Sequence, residues 1–142
     1  MKELILNKTQ TKTFAVNLAK ELLEMQTLCL KGDLGAGKTF LSSEMIKFLI
    51  DDSDANITSP TFNIVNIYTS KNGKSIYHFD FYRLKNFEEL ENIGFFDALL
   101  NHICIIEWWN VFESELKNYL QKAIFLDILY LSNSKRKFIY VK

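Results

Sequence analysis

Apolar positions change their spacing along the chain, and the changes predict strands and helices in alternation. Residues 3–7 predict a short strand, and the next segment predicts a helix with Thr9 or Thr11 available as its cap. The apolar positions of that helix recur at helical spacing: Phe14, Ala15, Leu18, Ala19, Leu22 and Leu23. The continuous apolar runs at 27–31 and 102–108 instead predict strands that are buried on both faces.

In the middle of the chain the same reasoning predicts a helix followed by a hairpin. Residues 38–50 predict a helix, and the polar residues 51–60 predict an irregular connection. Residues 61–70 and 74–84 predict two strands joined around Asn72-Gly73, a dipeptide typical of tight hairpin turns.

The last third of the chain predicts one helix start, one stop and a closing hairpin. Asn86 with Glu89 three residues later resembles a capping box, and Gly94 predicts the end of that helix. The segment between Trp108 and Ala123 has helical character, and the runs 123–131 and 135–142 predict a second hairpin. We therefore expect one α/β domain over residues 1–142. Its mixed sheet should have a parallel centre, to which further strands are added in antiparallel orientation.

Composition narrows the class of protein. The chain has 142 residues, 48% of them hydrophobic, with 17 basic and 17 acidic side chains. This balance argues against a general nucleic-acid binder, and no apolar run is long enough to cross a membrane. Cys29 and Cys104 lie in apolar runs and are interpreted as buried thiols of a reducing compartment, so a cytoplasmic location is expected.

Glycine is rare in the chain but concentrated in one stretch. Three of the five glycines lie in Gly32-Asp33-Leu34-Gly35-Ala36-Gly37-Lys38-Thr39, which fits the phosphate-binding pattern G-x-x-x-x-G-K-[ST]. Glycine allows backbone amides to approach phosphate oxygens, and the predicted helix directs its positive end at the same place. Lys38 would neutralise β- and γ-phosphate charge, and the hydroxyl of Thr39 would bind Mg²⁺. An ordinary glycine-rich turn is the alternative, but the predicted strand before it and helix after it favour a nucleotide site.

A phosphate-binding loop of this kind needs a carboxylate at the end of another strand. Glu107 directly follows a buried apolar run, where a charge needs a partner, so it is the favoured carboxylate to hold Mg²⁺ or orient water. Asp80 is the second candidate. Alternation along its strand places His78, Asp80 and Tyr82 on one side, and from this pattern alone a water-facing side is the favoured interpretation. Pro60, the only proline, could either rigidify a loop that presents the hydroxyls of Ser59 and Thr61 or simply start a strand.

Five motifs in this order, GDLGAGKT, SPTF, YHFDFYRL, EELENIG and IIEW, closely resemble the bacterial tRNA threonylcarbamoyladenosine biosynthesis ATPase family, TsaE, formerly YjeE. The resemblance runs from about Thr11 to Trp108. It implies a compact P-loop ATPase that binds ATP or ADP with Mg²⁺. Because the chain offers few groups that could activate water, we expect hydrolysis to be weak without partners. The resemblance also implies action with the threonylcarbamoyl transferase and its paralogous partner subunit, contact with tRNA only indirectly, and hydrolysis that drives or resets the transfer complex.

The resemblance assigns roles to residues by position. Lys38, Asp80 and Glu107 would be catalytic, with Thr39 and Glu107 as the metal ligands and Ser59, Pro60 and Thr61 as a switch loop. The nucleotide would contact Thr11, Asp33, Leu34, Gly35, Ala36, Gly37, Lys38, Thr39, Phe40 and Trp108. The resemblance thus reverses the water-facing interpretation of Asp80. One departure is Trp109, where the family often has proline.

Other functions on the same loop remain as alternatives. A small P-loop kinase would usually need several arginines, and this chain has only Arg83 and Arg136. A GTPase would usually carry an N-K-x-D element, which the sequence lacks. A nucleotide-gated interaction module, in which hydrolysis is incidental, would keep assembling with its partners after Glu107→Ala. Arg83 could stabilise charge in the reaction or form a structural ion pair.

Overall fold

A computed structural model describes residues 2–141. The strands are β1 (Lys2–Asn7), β2 (Thr27–Lys31), β3 (Val65–Thr69), β4 (Ser75–Asp80), β5 (Ile103–Glu107), β6 (Ile124–Tyr130) and β7 (Lys135–Val141). The helices are α1 (Lys8–Met25), α2 (Lys38–Ile50), α3 (Glu89–Asn92), α4 (Phe95–Asn101) and α5 (Glu113–Leu116), and a 3₁₀ turn covers Trp109–Phe112. Part of the predicted last strand, Lys142, lies outside the described residues.

The described strands form one seven-stranded sheet in the order β1-β7-β6-β2-β5-β4-β3. The neighbouring strands β6, β2, β5 and β4 pair in parallel, whereas β1–β7, β7–β6 and β3–β4 pair antiparallel. The parallel centre with antiparallel additions therefore agrees with the sequence-based expectation. Since β2, β5 and β4 run in the same direction, their carboxyl ends lie together at one edge of the sheet.

Apolar side chains cover both faces of this sheet. On one face, α1 and α2 pack against residues such as Leu28, Leu30 and Ile105. On the other, the aromatic residues Phe79 and Phe95 pack with the side chains of α4 and the 3₁₀ turn. The thiols Cys29 and Cys104 are both free and buried, and burial raises the pKa of Cys104 to about 12. They are thus unreactive core residues, as expected.

The predicted start of the first helix is wrong by a few residues. Asn7 is the cap, and its side chain accepts from the backbone amide of Gln10, whose own side chain accepts in return from the amide of Asn7. Neither Thr9 nor Thr11 serves as the cap. Thr11 instead donates its hydroxyl to the carbonyl oxygen of Asn7 at 2.7 Å. A reciprocal Asn–Gln pair fixes the helix one residue after β1.

The strands of the first hairpin are shorter than predicted. Residues 61–64 form a turn before β3, and β4 ends at Asp80. Gly94 does end α3, but its left-handed conformation, with φ of 73°, also starts α4, a helix that the sequence analysis did not predict. The capping acceptor Glu89 binds the amides of Lys85 and Asn86, so the chain turns before α3 rather than starting a long helix.

Candidate functional site

A cleft of about 280 Å³ lies at the carboxyl ends of β2, β4 and β5. Its lining consists entirely of residues predicted as catalytic, nucleotide-binding or switch-loop residues: Leu34, Gly35, Gly37, Lys38, Thr39, Phe40, Ser59, Thr61, Asp80, Glu107 and Trp108. A larger cavity of about 630 Å³ lies between α1 and the β1 edge, but none of these residues lines it. The convergence of charged side chains, rather than cavity size, therefore identifies the candidate site.

The glycine-rich segment forms the predicted loop between β2 and α2. Gly35 and Gly37 have φ of 79° and 111°, which other residues adopt with strain. Gly32 has a different constraint, since a Cβ on it would lie 2.6 Å from the backbone oxygen of Ile128. Inside the loop the amide of Ala36 donates to the carbonyl of Asp33 at 3.0 Å. The bend thus depends on glycine both for its dihedrals and for its packing on β6.

Lys38 lies at the start of α2 with its ammonium group folded over the loop. The group donates to the carbonyl oxygen of Gly32 and, at 3.0 Å, to that of Asp33. It also lies 4.4 Å from the ring centroid of Trp108, close enough for a cation–π contact. Burial lowers the pKa of Lys38, and the nearby carboxylates, Glu107 first, oppose that effect. A phosphate oxygen would replace these carbonyls as a stronger acceptor for the same ammonium.

Thr39 and Glu107 meet at the bottom of the cleft. The Thr39 hydroxyl lies 3.1 Å from Oε1 of Glu107 and 3.5 Å from Oε2. Glu107 is only 2% exposed, so its carboxyl group lies beside a hydroxyl rather than in water. A hydroxyl and a carboxylate are oxygen donors that suit Mg²⁺, which usually keeps several waters and binds phosphate oxygens as well. The residues present therefore fit a magnesium ion bound together with nucleotide.

His78 also contributes to the site, although alternation along β4 favoured a water-facing position for its side chain. Its side chain is 0% exposed, and its Nε2 donates to Oε2 of Glu107 at 2.5 Å. Its Nδ1 is buried without a hydrogen-bond partner in the part of the chain described. The contact occupies one carboxylate oxygen and leaves the other directed at Thr39. Its position two residues before Asp80, on the same side of β4, was the signal that could have identified it.

Asp80 is buried too, which corrects the water-facing interpretation of its side of β4. It is 3% exposed and lies opposite Glu107 in the parallel pair β4–β5. One oxygen accepts from the amide of Tyr82 at 2.9 Å, and the other accepts from the hydroxyls of Ser59 at 3.3 Å and Thr61 at 3.2 Å. Burial raises the pKa of Asp80, although these hydrogen bonds oppose the effect. Tyr82, by contrast, is exposed.

The segment 59–64 is held in a tight turn beside Asp80. The amide of Ile64 donates to the carbonyl of Pro60 at 2.6 Å, and the amide of Asp80 donates to the carbonyl of Ile64 at 2.9 Å. Ile64 has φ of 69°, a left-handed conformation that is strained for a β-branched residue. Pro60 is therefore the acceptor of a strained turn rather than the first residue of a strand.

Some predicted residues lie beside the cleft rather than in its lining. Thr11 lines a neighbouring cavity of about 150 Å³ together with Gly37, Phe40 and Arg136. Arg83, considered for charge stabilisation, has its guanidinium 4.3 Å from the ring centroid of Phe62 and makes no ion pair within residues 2–141. The role of Arg136, which contacts the glycine-rich loop, was missed because nothing in the local sequence connects residues that are so far apart along the chain.

We expect Asp80→Asn to be more stable than the wild type at pH 7 while lowering any hydrolytic activity. The folded-state pKa of Asp80 lies above the ordinary value of 3.8, so the charged carboxylate costs stability as the pH rises through that folded pKa. Asparagine removes this cost and can still pair with Tyr82 and the two hydroxyls. Chemical denaturation of both proteins at pH 4 and pH 7 is the measurement. An equal or lower stability of the variant at pH 7 would contradict the argument.

Across the described chain, no helix is long and apolar enough to span a membrane.

Comparison with known proteins gives consistent matches over most of the chain. A model of the family described as "Threonylcarbamoyl adenosine biosynthesis protein TsaE" matches residues 5–138. A TsaE of Rickettsia typhi is 41% identical over 127 residues, covering 89% of this chain and 85% of the relative. A TsaE of Haemophilus influenzae is 43% identical over 101 residues, covering 67% and 62%.

The fold is similar to a solved structure as well. The crystal structure of the Bacillus protein YdiB superposes with a TM-score of 0.66 at 25% identity, covering 98% of this chain and 84% of that one. The predicted fold class, a single-domain α/β P-loop NTPase with a mixed central sheet flanked by helices, is confirmed.

Proposed function

The chain belongs to the TsaE family of threonylcarbamoyl adenosine biosynthesis proteins, and from that membership we propose that it is a magnesium-dependent ATPase. The resemblance identified from the five motifs is thereby confirmed, and with it the family's place in tRNA modification. In the proposal, hydrolysis of ATP to ADP and phosphate drives or resets the complex that transfers the threonylcarbamoyl group to tRNA. The observation that carries it is the meeting of Lys38, Thr39, Asp80 and Glu107 around one cleft.

Each group of the cleft has a role in this proposal. The loop amides and Lys38 bind the phosphates of ATP, and Thr39 and Glu107 hold Mg²⁺. The bound ion would neutralise charge that develops on the transferred phosphoryl group. His78 positions Glu107 through its donated hydrogen bond. Asp80 is the carboxylate available to orient the attacking water, and its raised pKa makes it a better proton acceptor than an exposed aspartate.

Slow turnover in isolation is part of the proposal. The cleft is open, and Leu34 on its phosphate loop is 69% exposed. Both arginines of the chain are directed elsewhere: Arg83 lies over Phe62, and Arg136 binds loop carbonyls. No arginine is therefore placed to stabilise charge in the transition state, a contribution that a partner often supplies in P-loop enzymes. The partners proposed are the threonylcarbamoyl transferase and its paralogous subunit, with tRNA reached indirectly, in the cytoplasm.

The partner dependence can be measured directly. We expect the rate of ATP hydrolysis to rise by about tenfold or more when both partner subunits are added to the purified protein. Lys38→Met with the same partners is the control, since it removes the ammonium but keeps an unbranched side chain. If the wild-type protein hydrolysed ATP at the same rate with and without partners, the proposal that the partners complete the catalytic site would be refuted.

The pathway is tested separately from the chemistry. The chain is expressed in a bacterium depleted of its own TsaE, and bulk tRNA is digested for nucleoside analysis. We expect the wild-type chain to restore threonylcarbamoyladenosine and Glu107→Gln to fail. Normal levels of the nucleoside without any TsaE would remove the pathway assignment, whereas restoration by Glu107→Gln would instead favour an interaction module whose hydrolysis is incidental.

A further inference from the structure

Arg136, on the closing hairpin, contacts the phosphate loop from outside the cleft. Its Nε donates to the carbonyl oxygen of Ala36 at 2.9 Å, and its Nη2 lies 3.5 Å from that of Gly35. A Cβ on Gly37 would come within 3.9 Å of the same Nε, so the guanidinium lies directly against the bend. Two consecutive loop carbonyls therefore face one cation that belongs to a distant strand, β7.

The orientation of these carbonyls determines where the loop amides point. In a trans peptide the carbonyl of one residue and the amide of the next point in opposite directions. The carbonyl of Ala36 is bound by Arg136, so the amide of Gly37, in the same peptide plane, points away from the guanidinium. The Gly37 amide precedes α2, where the helix presents its first unpaired amides. An interaction outside the bend thus fixes which side of it can donate hydrogen bonds to an anion.

The guanidinium is itself held in place by its own hairpin. Nη1 donates to the carbonyl oxygens of Ser132 at 2.6 Å and Lys135 at 3.1 Å. The ring of Tyr130 lies 4.6 Å from the guanidinium carbon, near enough for stacking. Since a planar guanidinium has donors in fixed directions, binding on the hairpin side orients the donors on the loop side. A flexible ammonium could not satisfy both sets of carbonyls together.

We propose that Arg136 is a positioning residue that holds the phosphate loop in the shape that binds the diphosphate part of a nucleotide. The proposal rests on the proposed nucleotide-binding function and adds a role for the C-terminal hairpin. Arg136 acts through the carbonyls of Gly35 and Ala36 and does not itself touch phosphate. A direct contact with the base is the competing role, because Arg136 also lines the small cavity with Thr11 and Phe40.

The test compares Arg136→Met and Arg136→Lys with a matched control, Lys137→Met. Lys137 lies on the same strand and forms an ion pair with Glu3 at 2.8 Å, so its replacement removes a β7 cation without changing the loop. Binding of inorganic pyrophosphate and of ADP is measured by calorimetry for each full-length protein. The melting temperature without ligand is measured in parallel, and binding is measured well below it.

We expect Arg136→Met to weaken pyrophosphate and ADP binding by about the same factor, roughly tenfold, and Arg136→Lys to recover only part of it. Lys137→Met should bind both ligands like the wild type. A loss of ADP affinity with unchanged pyrophosphate affinity would overturn the proposal in favour of a base contact. A lower melting temperature with unchanged affinities, or full recovery by Arg136→Lys, would also overturn it. Wild-type protein that binds neither ligand would instead refute the proposed function.

Discussion

Replacing Glu107 with glutamine is expected to lower the rate of ATP hydrolysis by about two orders of magnitude or more. The change removes the charge that would hold Mg²⁺ beside Thr39 but keeps the size of the side chain. The glutamine oxygen can still accept from His78 or Thr39, which lie 2.5 Å and 3.1 Å from the carboxylate, so we expect the fold to persist. Steady-state phosphate release, with partners present, is the measurement.

The matched control for this experiment is Glu113→Gln. Glu113 follows a 3₁₀ turn rather than a strand and makes an exposed ion pair with Lys31 at 4.0 Å. Such pairs contribute little, so hydrolysis should remain within about twofold of wild type. If Glu107→Gln hydrolysed ATP as fast as Glu113→Gln does, Glu107 would not be the carboxylate on which the site depends.

Gly32→Ala is expected to lower stability by about 2 kcal/mol and nucleotide affinity by at least tenfold. The added Cβ would lie 2.6 Å from the backbone oxygen of Ile128 and 3.2 Å from the Cβ of Ala36. Neither neighbour can move away as a flexible side chain would, because one is backbone in β6 and the other belongs to the loop. The loop must therefore shift off the sheet. Urea denaturation and an ADP titration measure the two effects.

Gly73→Ala separates backbone strain from damage to the loop. Gly73 also has an unfavourable dihedral for other residues, φ of 86°, but it lies in the β3–β4 turn with open space around it. We expect a loss of about 1 kcal/mol and an unchanged affinity for ADP. If both variants bound ADP as tightly as the wild type, the close approach of Gly32 to β6 would have no importance for the site.

Local pattern was sufficient for much of the fold. The bounds of β2 and α2 agree with the prediction, because a short apolar run, a glycine bend and a helical repeat are all readable within a few residues. The pattern failed where the chain bends against its own propensity. Residues 61–64 are typical of a strand, yet Ile64 adopts φ of 69° because the turn hydrogen-bonds to Pro60 and to Asp80.

The site was predictable to the extent that its residues belong to motifs. Lys38, Thr39 and Glu107 follow from the glycine loop and from an acid at the end of a buried strand. Alternation alone gave the wrong environment for Asp80, because a polar face of β4 normally meets water, and here it meets Glu107 and two hydroxyls instead. The strand pattern named Asp80 only as a second candidate, and the family resemblance was what favoured a role in the site over a water-facing position.

Contacts between distant segments were not predictable from a single sequence. The contact of His78 with Glu107 depends on the pairing of β4 with β5, and that of Arg136 with the loop depends on where the last hairpin packs. Alternation placed His78 on the same side of β4 as Asp80, but which strand lies beside β4 and where the hairpin packs cannot be read from the local sequence. The contacts of His78 and Arg136 with the predicted site residues were therefore found only in the structure.

The central claim is that the cleft between the glycine loop and Glu107 is a magnesium–ATP site. Calorimetric titration of the wild-type protein with a non-hydrolysable ATP analogue, in Mg²⁺ and again in excess chelator, tests it most directly. The account predicts binding in Mg²⁺ that weakens by at least about tenfold in chelator. No binding in Mg²⁺, or equal affinity in both conditions, would contradict it.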